Sequence, residues 1–163
     1  MESCETRLRR IEDHLAINHL ISRYGPLADS GEAELAASLW EPSGVYGIDL
    51  GAFDGHAGIV GFLQSPLAVG LRESGSSHVL APAEVVIEGD RAVATNYSLT
   101  IEHAEGQFRV FRSVAARREF ARTTDGEWLV RRRLNQALKG SARARELLAA
   151  ADDSTSFEYR EPA

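Results

Sequence analysis

"GQFRVFRSVAARREFARTTDGEWLVRRRLNQAL", residues 106–138, carries two runs of largely alternating apolar and polar side chains around Thr124-Asp125-Gly126-Glu127. Asp-Gly between two such runs is a strong short-range hairpin signal, because those residues accept the positive φ that tight turns need. The stretch just upstream, "HVLAPAEVVIEGDRAVATNYSLTIEH" (78–103), reads the same way, as two strands around Glu88-Gly89-Asp90. The second half of the chain is therefore an antiparallel sheet by its own local chemistry.

Moving toward the N-terminus, the period changes. Leu8, Ile11, Leu15, Ile21 and Tyr24 recur at helical spacing and predict an amphipathic helix over 5–24, ended by Gly25-Pro26. A second helix is predicted from Glu32 to Trp40, with Leu35 and Leu39 one turn apart, and then a short strand from Val45 to Asp49. "FDGHAGIVGFLQSP" (53–66) reads as a third, shorter helix with Asp54 at its start and Pro66 just past its end. Helices followed by antiparallel strands indicate an α+β fold with the helices on one face of the sheet. Residues 1–140 are read as a single domain. Residues 141–163 are read as a short helix near Arg143 to Ala151 and a polar tail, "ADDSTSFEYREPA".

Composition narrows the function. With 163 residues and 44% hydrophobic content, the chain is long enough for one core or one enclosed pocket. A net charge of -6 argues against nucleic acid, since an acidic surface gains nothing from releasing phosphate counterions. Cys4 is the sole cysteine, so neither an intrachain disulfide nor a zinc-cysteine cluster is available. The opening residues alternate charged with apolar side chains, unlike a signal peptide, and no segment nears the ~20 apolar residues of a membrane span. A cytoplasmic protein is the expectation.

Three ionisable residues stand out by position: Asp29 after the Gly-Pro, His78 opening a strand in "SSHVLAP", and His103 ending one in "LTIEH". Asp29 has two readings. It can cap the following helix, which typically contributes about 1 kcal/mol. It can also be a carboxylate aimed into a pocket, fixing a histidine's tautomer so that its other nitrogen becomes a base. His78 shares strand parity with Leu80 and Pro82, and His103 shares it with Tyr97, Leu99 and Ile101; a bulge would reverse either assignment. No H-x-H, H-x-x-x-H or H-E-x-x-H spacing occurs, nor a phosphate-binding or nucleophile-elbow motif, so neither metal nor cofactor is expected. Seventeen arginines stand against one lysine. Arg117, Arg118, Arg122 and Arg131 to Arg133 fall on two adjacent strands. They are an anion site, or else cross-strand partners for Glu119 and Glu127 or a subunit interface.

The ordered set "IEDHLAINHLISRYGPLADSGEAELAASLWEPSGVY", "DGHAGIVGFL", "SSHVLAP", "EGDRAVATNYSLTIEH" and "TDGEWLVRRRLNQ" resembles the SnoaL-like family of the nuclear transport factor 2 superfamily, over roughly residues 8–138. Within it the chain resembles scytalone dehydratase and hexachlorocyclohexane dehydrochlorinase. The resemblance implies a cone-shaped α+β barrel, its curved mixed or antiparallel sheet wrapped around N-terminal helices, with a deep cavity inside. It also implies an acid–imidazole dyad at Asp29 and His78, a second histidine at His103, and pocket residues at Tyr24, Tyr46 and Trp40. The expected activity is a cofactor-independent, dehydratase-like lyase or isomerase acting on a small, largely apolar oxygenated molecule, in a homodimer. The alternative is a non-catalytic ligand-binding or assembly domain of the same fold. The asparagine that the dehydratase carries on a late strand has no counterpart in "SVAARREF", which offers Ala115, Ala116 or Arg117.

Overall fold

The computed structural model of the chain describes residues 2–149. The predicted tail, and Ala150 and Ala151 at the end of the predicted last helix, lie outside these residues. The first helix, α1 (Cys4–Ser30), does not stop at Gly25-Pro26 but runs on to a left-handed cap at Gly31, whose φ is 83°. Proline inside a helix costs a hydrogen bond and about 3 kcal/mol, a local penalty that burial overrules. Ile17, Ile21, Tyr24, Gly25 and Ala28 form the buried stripe, and continuing the helix keeps Ala28 one turn beyond Tyr24 on that face. Gly25 matters for a second reason: a Cβ there would lie 2.7 Å from the carbonyl oxygen of His78, so only glycine lets the helix approach that strand.

The stripe inferred from Leu8, Ile11 and Leu15 faces outward instead; these side chains are 54%, 54% and 65% exposed. What faces inward at that level is Asp13, which accepts from Arg122 (Nη2, 2.5 Å) and from the Trp128 indole (3.0 Å). Arg122 also stacks over the Trp128 ring at 4.4 Å. The N-terminal half of α1 is thus fastened to the sheet by a carboxylate rather than by an apolar seam.

The second helix, α2 (Ala33–Ala37), is shorter than expected, and strand β1 (Trp40–Ile48) starts earlier. Trp40 folds back over its own strand, possible because a Cβ on Gly44 would sit only 2.8 Å from the indole. A short strand β2 (Gly51–Asp54) then leads into α3 (Gly55–Leu63). Asp54 precedes α3, but its side chain makes no capping bond. Pro66, read as the residue beyond that helix, opens another, α4 (Pro66–Ser74), with the Ser65 hydroxyl accepting from the Ala68 N–H.

The remaining strands are β3 (Ser76–Leu80), β4 (Glu84–Glu88), β5 (Arg91–Ala104), β6 (Gln107–Arg122) and β7 (Trp128–Ala137). They form an open, seven-stranded mixed sheet in the order β2-β1-β7-β6-β5-β3, with β4 also on β5 and β1–β7 the parallel pair. The turns at Gly89 and Gly126 fall where the sequence puts them, both glycines at positive φ. The stretch 78–88 is two strands rather than one. Between the pairs Leu80↔Ser98 and Glu84↔Thr95, three residues face two on β5. That extra residue inverts the parity, so Leu80 as well as Ala83, Val85 and Ile87 reach the core.

The main core lies between the sheet and α1–α3, built on Ile17, Ile21, Tyr24, Trp40, Ile59 and Phe120 among others. Each fully buried side chain of this size contributes roughly 1.5–3 kcal/mol. A second, small core on the opposite face joins Ala115 and Leu134 to Ala144 and Leu147 of α5 (Ala142–Ala149). No helix among the described residues is long and apolar enough to cross a membrane.

Candidate active site

Asp29 sits in the last turn of α1, ahead of the left-handed Gly31, and the residue that precedes α2 is Glu32. Asp29 is therefore not the cap of the next helix. Its carboxylate reaches across to β3, forty-nine residues away, and takes two hydrogen bonds from one residue. The His78 backbone N–H donates to Oδ2 at 2.7 Å, and the His78 ring Nδ1 lies 2.6 Å from Oδ1. A carboxylate only accepts, so Nδ1 carries a proton, and in the neutral ring the lone pair is on Nε2. The pair is partly screened, with side-chain exposures of 24% for His78 and 21% for Asp29. The close approach of α1 to β3 at Gly25 sets this distance.

Both residues line a cavity of about 770 Å³, counting its open mouth. Tyr24 and Tyr46 form its inner end, Phe62 and Leu63 of α3 one wall, and Ser98 and Thr100 of β5 part of another. Leu67, Leu71 and Arg72 of α4 complete the rim, a helix with none of its residues buried. The Tyr24 hydroxyl donates to the Tyr46 hydroxyl at 3.3 Å, and the Asn135 amide donates to the same oxygen at 3.3 Å. Burial, followed by the neighbouring Tyr46, pushes the Tyr24 phenol well above its ordinary value, so it remains a donor. The Tyr24 ring also meets the His78 ring edge-on at 5.8 Å, packing the imidazole in place.

Of the residues singled out in the sequence, the fold gathers Asp29, His78, Tyr24 and Tyr46 around one space. Trp40 stands behind them: it is 1% exposed, packs edge-on to Tyr24 at 5.8 Å, and donates its indole N–H to the Val45 carbonyl. It shapes the tyrosine end without lining the cavity. His103 is exposed and lies outside the lining, its ring 5.0 Å from Phe108. The register between β5 and β6 does slip there, Thr100↔Arg112 being followed by Ile101↔Val110, but the extra residue is Phe111 on β6. Strand β5 keeps its alternation, which turns Ser98 and Thr100 inward and leaves Tyr97 and His103 outward.

Asn135 and Arg72 were not foreseen. The inward polar positions Ser98 and Thr100 alternate with the apolar Tyr97, Leu99 and Ile101, and Asn135 stands between Leu134 and Gln136, a pattern indistinguishable in sequence from a solvated face. The only available signal was that the opposite face is just as apolar. Among the described residues, no group of three or more His, Cys, Asp or Glu side chains could hold a metal ion.

Helices seated in a curved, unclosed mixed sheet, with an open cavity between them, make up the NTF2-like α+β cone. The chain belongs to the SnoaL-like domain family, whose profile matches residues 9–134. Its structure is similar to that of an NTF2-like protein with a cystatin-like fold from Novosphingobium aromaticivorans, at 40% identity, covering 91% of this chain and 98% of that one (TM-score 0.87). It shares the fold of hexachlorocyclohexane dehydrochlorinase LinA-type3 from Novosphingobium barchaimii (16% identity, 81% and 90% coverage, TM-score 0.71). The fold also recurs in a protein from Catenulispora acidiphila in complex with S-DNPA (19% identity, 78% and 94% coverage, TM-score 0.68). No functionally curated protein matches the sequence.

Proposed function

We propose that the chain is a cofactor-independent lyase or isomerase that removes a proton from carbon on a small, largely apolar, oxygenated molecule. The observation that carries this reading is the 2.6 Å contact between Asp29 Oδ1 and His78 Nδ1 at the wall of an open cavity. With Nδ1–H held by the carboxylate, Nε2 is the base, and the imidazolium formed after abstraction lies against a negative charge. Tyr46, whose oxygen accepts from Tyr24 and so leaves its own proton to give, supplies a hydroxyl to a carbonyl or leaving-group oxygen, where charge develops as the C–H bond breaks. The walls of Phe62, Leu63, Leu67 and Leu71 suit a flat apolar body. The dehydrochlorinase that shares this fold performs an elimination by name, which agrees with the reading at the level of reaction class. A homodimer accords with the apolar side chains exposed on the outer sheet face, Tyr97, Phe108 and Val110.

The test is exchange of carbon-bound hydrogen. Cyclic β-hydroxyketones incubated with the protein in deuterium oxide should gain deuterium next to the carbonyl, read by NMR. His78→Ala should abolish this while leaving the fold intact. Exchange that persists in the variant, or never occurs although the ligand binds, would make the cavity a binding site without this chemistry.

A further inference from the structure

Two of the clustered arginines occupy an unusual place. Arg118 and Arg133 face each other across β6 and β7, and are 2% and 1% exposed. Arg118 Nη1 donates to Asn96 Oδ1 at 2.7 Å, and Arg133 Nε donates to Asn135 Oδ1 at 3.3 Å. Beyond that, Arg118 Nη2 and Arg133 Nη1 are buried with no hydrogen-bond partner. Neither guanidinium makes an ion pair among the described residues, whereas Arg10, Arg109, Arg112, Arg117 and Arg122 each do. Two adjacent buried cations without a counter-charge are costly, and an anion entering beside them offsets that cost. Burial, then the charge of Arg133, pulls the Arg118 guanidinium well below its ordinary value.

Arg133 backs directly onto the cavity, with Arg118 beside it on the neighbouring strand. Arg133 Cζ lies 3.9 Å from the centre of the Tyr24 ring and 4.8 Å from that of Tyr46. Asn135, which holds Arg133, lines the cavity and donates to the Tyr46 hydroxyl. That oxygen also accepts from Tyr24, so both of its lone pairs are engaged. What Tyr46 has left to offer is its proton, and only an acceptor can take it. The cavity's one lining carboxylate, Asp29, already has both oxygens on His78.

We propose that the tyrosine end of the cavity is a site for an oxygen anion of the ligand, a carboxylate or an acidic phenol or enol bound ionised, which accepts the Tyr46 proton while Arg118 and Arg133 supply the counter-charge. This refines the substrate class and rests on the cavity being a ligand site, as proposed above, but not on proton abstraction by His78. Arg133, against the tyrosine rings and Asn135, and Arg118 beside it are positioning residues.

The experiment is calorimetric titration with 2-naphthoate and its uncharged twin 2-naphthamide, and with 4-nitrophenol on either side of its ionisation. The acid should bind at least tenfold more tightly than the amide, and Tyr46→Phe and Arg118→Gln should remove most of that ratio. Preference for naphthoate alone, or for nitrophenolate alone, supports the site and says which acid it takes. Equal affinity of charged and neutral forms overturns it, as does failure of all the probes to bind. A ratio that survives in Arg118→Gln but vanishes in Arg72→Gln or His78→Ala also overturns it, placing the charge at the rim or on the imidazole. The wild-type comparison needs no variant, so an Arg118→Gln protein that does not fold leaves the test standing. Loss of anion preference with intact deuterium exchange refutes only the anion site; retained preference without exchange refutes only the dyad.

Discussion

Replacing Asp29 by asparagine tests the dyad without knowing any substrate. The wild-type carboxylate accepts twice from His78, once from the backbone N–H at 2.7 Å and once from the ring at 2.6 Å. An amide offers one oxygen and one NH2. The backbone N–H cannot invert its polarity, so the amide oxygen must serve it and the NH2 must turn to the ring. Nδ1 is then forced to accept, the proton moves to Nε2, and the nitrogen facing the cavity stops being a base. Exchanging two charge-assisted hydrogen bonds for two neutral ones costs about 2 kcal/mol. For a chain of this size that lowers the melting temperature by roughly 4–8 °C. The catalytic loss should be far larger, about 10²–10⁴-fold in rate, the range general-base catalysis contributes. Nitrogen-15 NMR of the neutral imidazole reads the tautomer directly. The wild type should show Nδ1 protonated and Nε2 bare, and the variant the reverse. A wild-type imidazole already protonated at Nε2, or a pattern untouched by Asp29→Asn, would refute the argument whatever the activity.

Gly25→Ala places a methyl 2.7 Å from a backbone oxygen that cannot move aside, so α1 must shift from β3. A loss of about 1–3 kcal/mol in urea unfolding is expected, along with weakened Asp29–His78 coupling in the same NMR experiment. Asp13 is held below the usual carboxylate value of 3.8, first by its bond from Arg122 and against the opposing effect of burial. Its contribution to stability is complete above that value and disappears as pH falls through the depressed one, so Asp13→Asn should flatten the acid limb of a pH-stability profile and change its neutral region uniformly. Leu147→Ala, which empties the contact of α5 with Ala115 and Leu134, should cost about 2–5 kcal/mol by denaturant titration while leaving the His78 tautomer unchanged. Retention of full stability would mean that α5 does not hold the outer face.

Much of the architecture is written locally. The turns at Gly89 and Gly126, the long strands β5 to β7 and the helical period of the N-terminus follow from residue types a few positions apart, because turn chemistry and side-chain periodicity need no distant partner. The family signature adds order to these pieces. Other features needed the whole fold. Helix α1 passes through Pro26 because burying Ala28 and seating Gly25 against β3 outweighs a proline's local penalty. Among Arg131, Arg132 and Arg133, the sequence cannot say which turns inward. Glu119↔Arg132 followed by Phe120↔Val130 leaves Arg131 unopposed, and that one bulged residue puts Arg133 over the tyrosines. The direction of Asp29 is of the same kind. Whether it caps a helix or grips His78 depends on where a strand forty-nine residues away comes to lie. Sequence determined the elements and the candidates because those are short-range properties. The cavity, its polar end and the partner of each charge were decided by strand register and close approach, which exist only once the chain is folded.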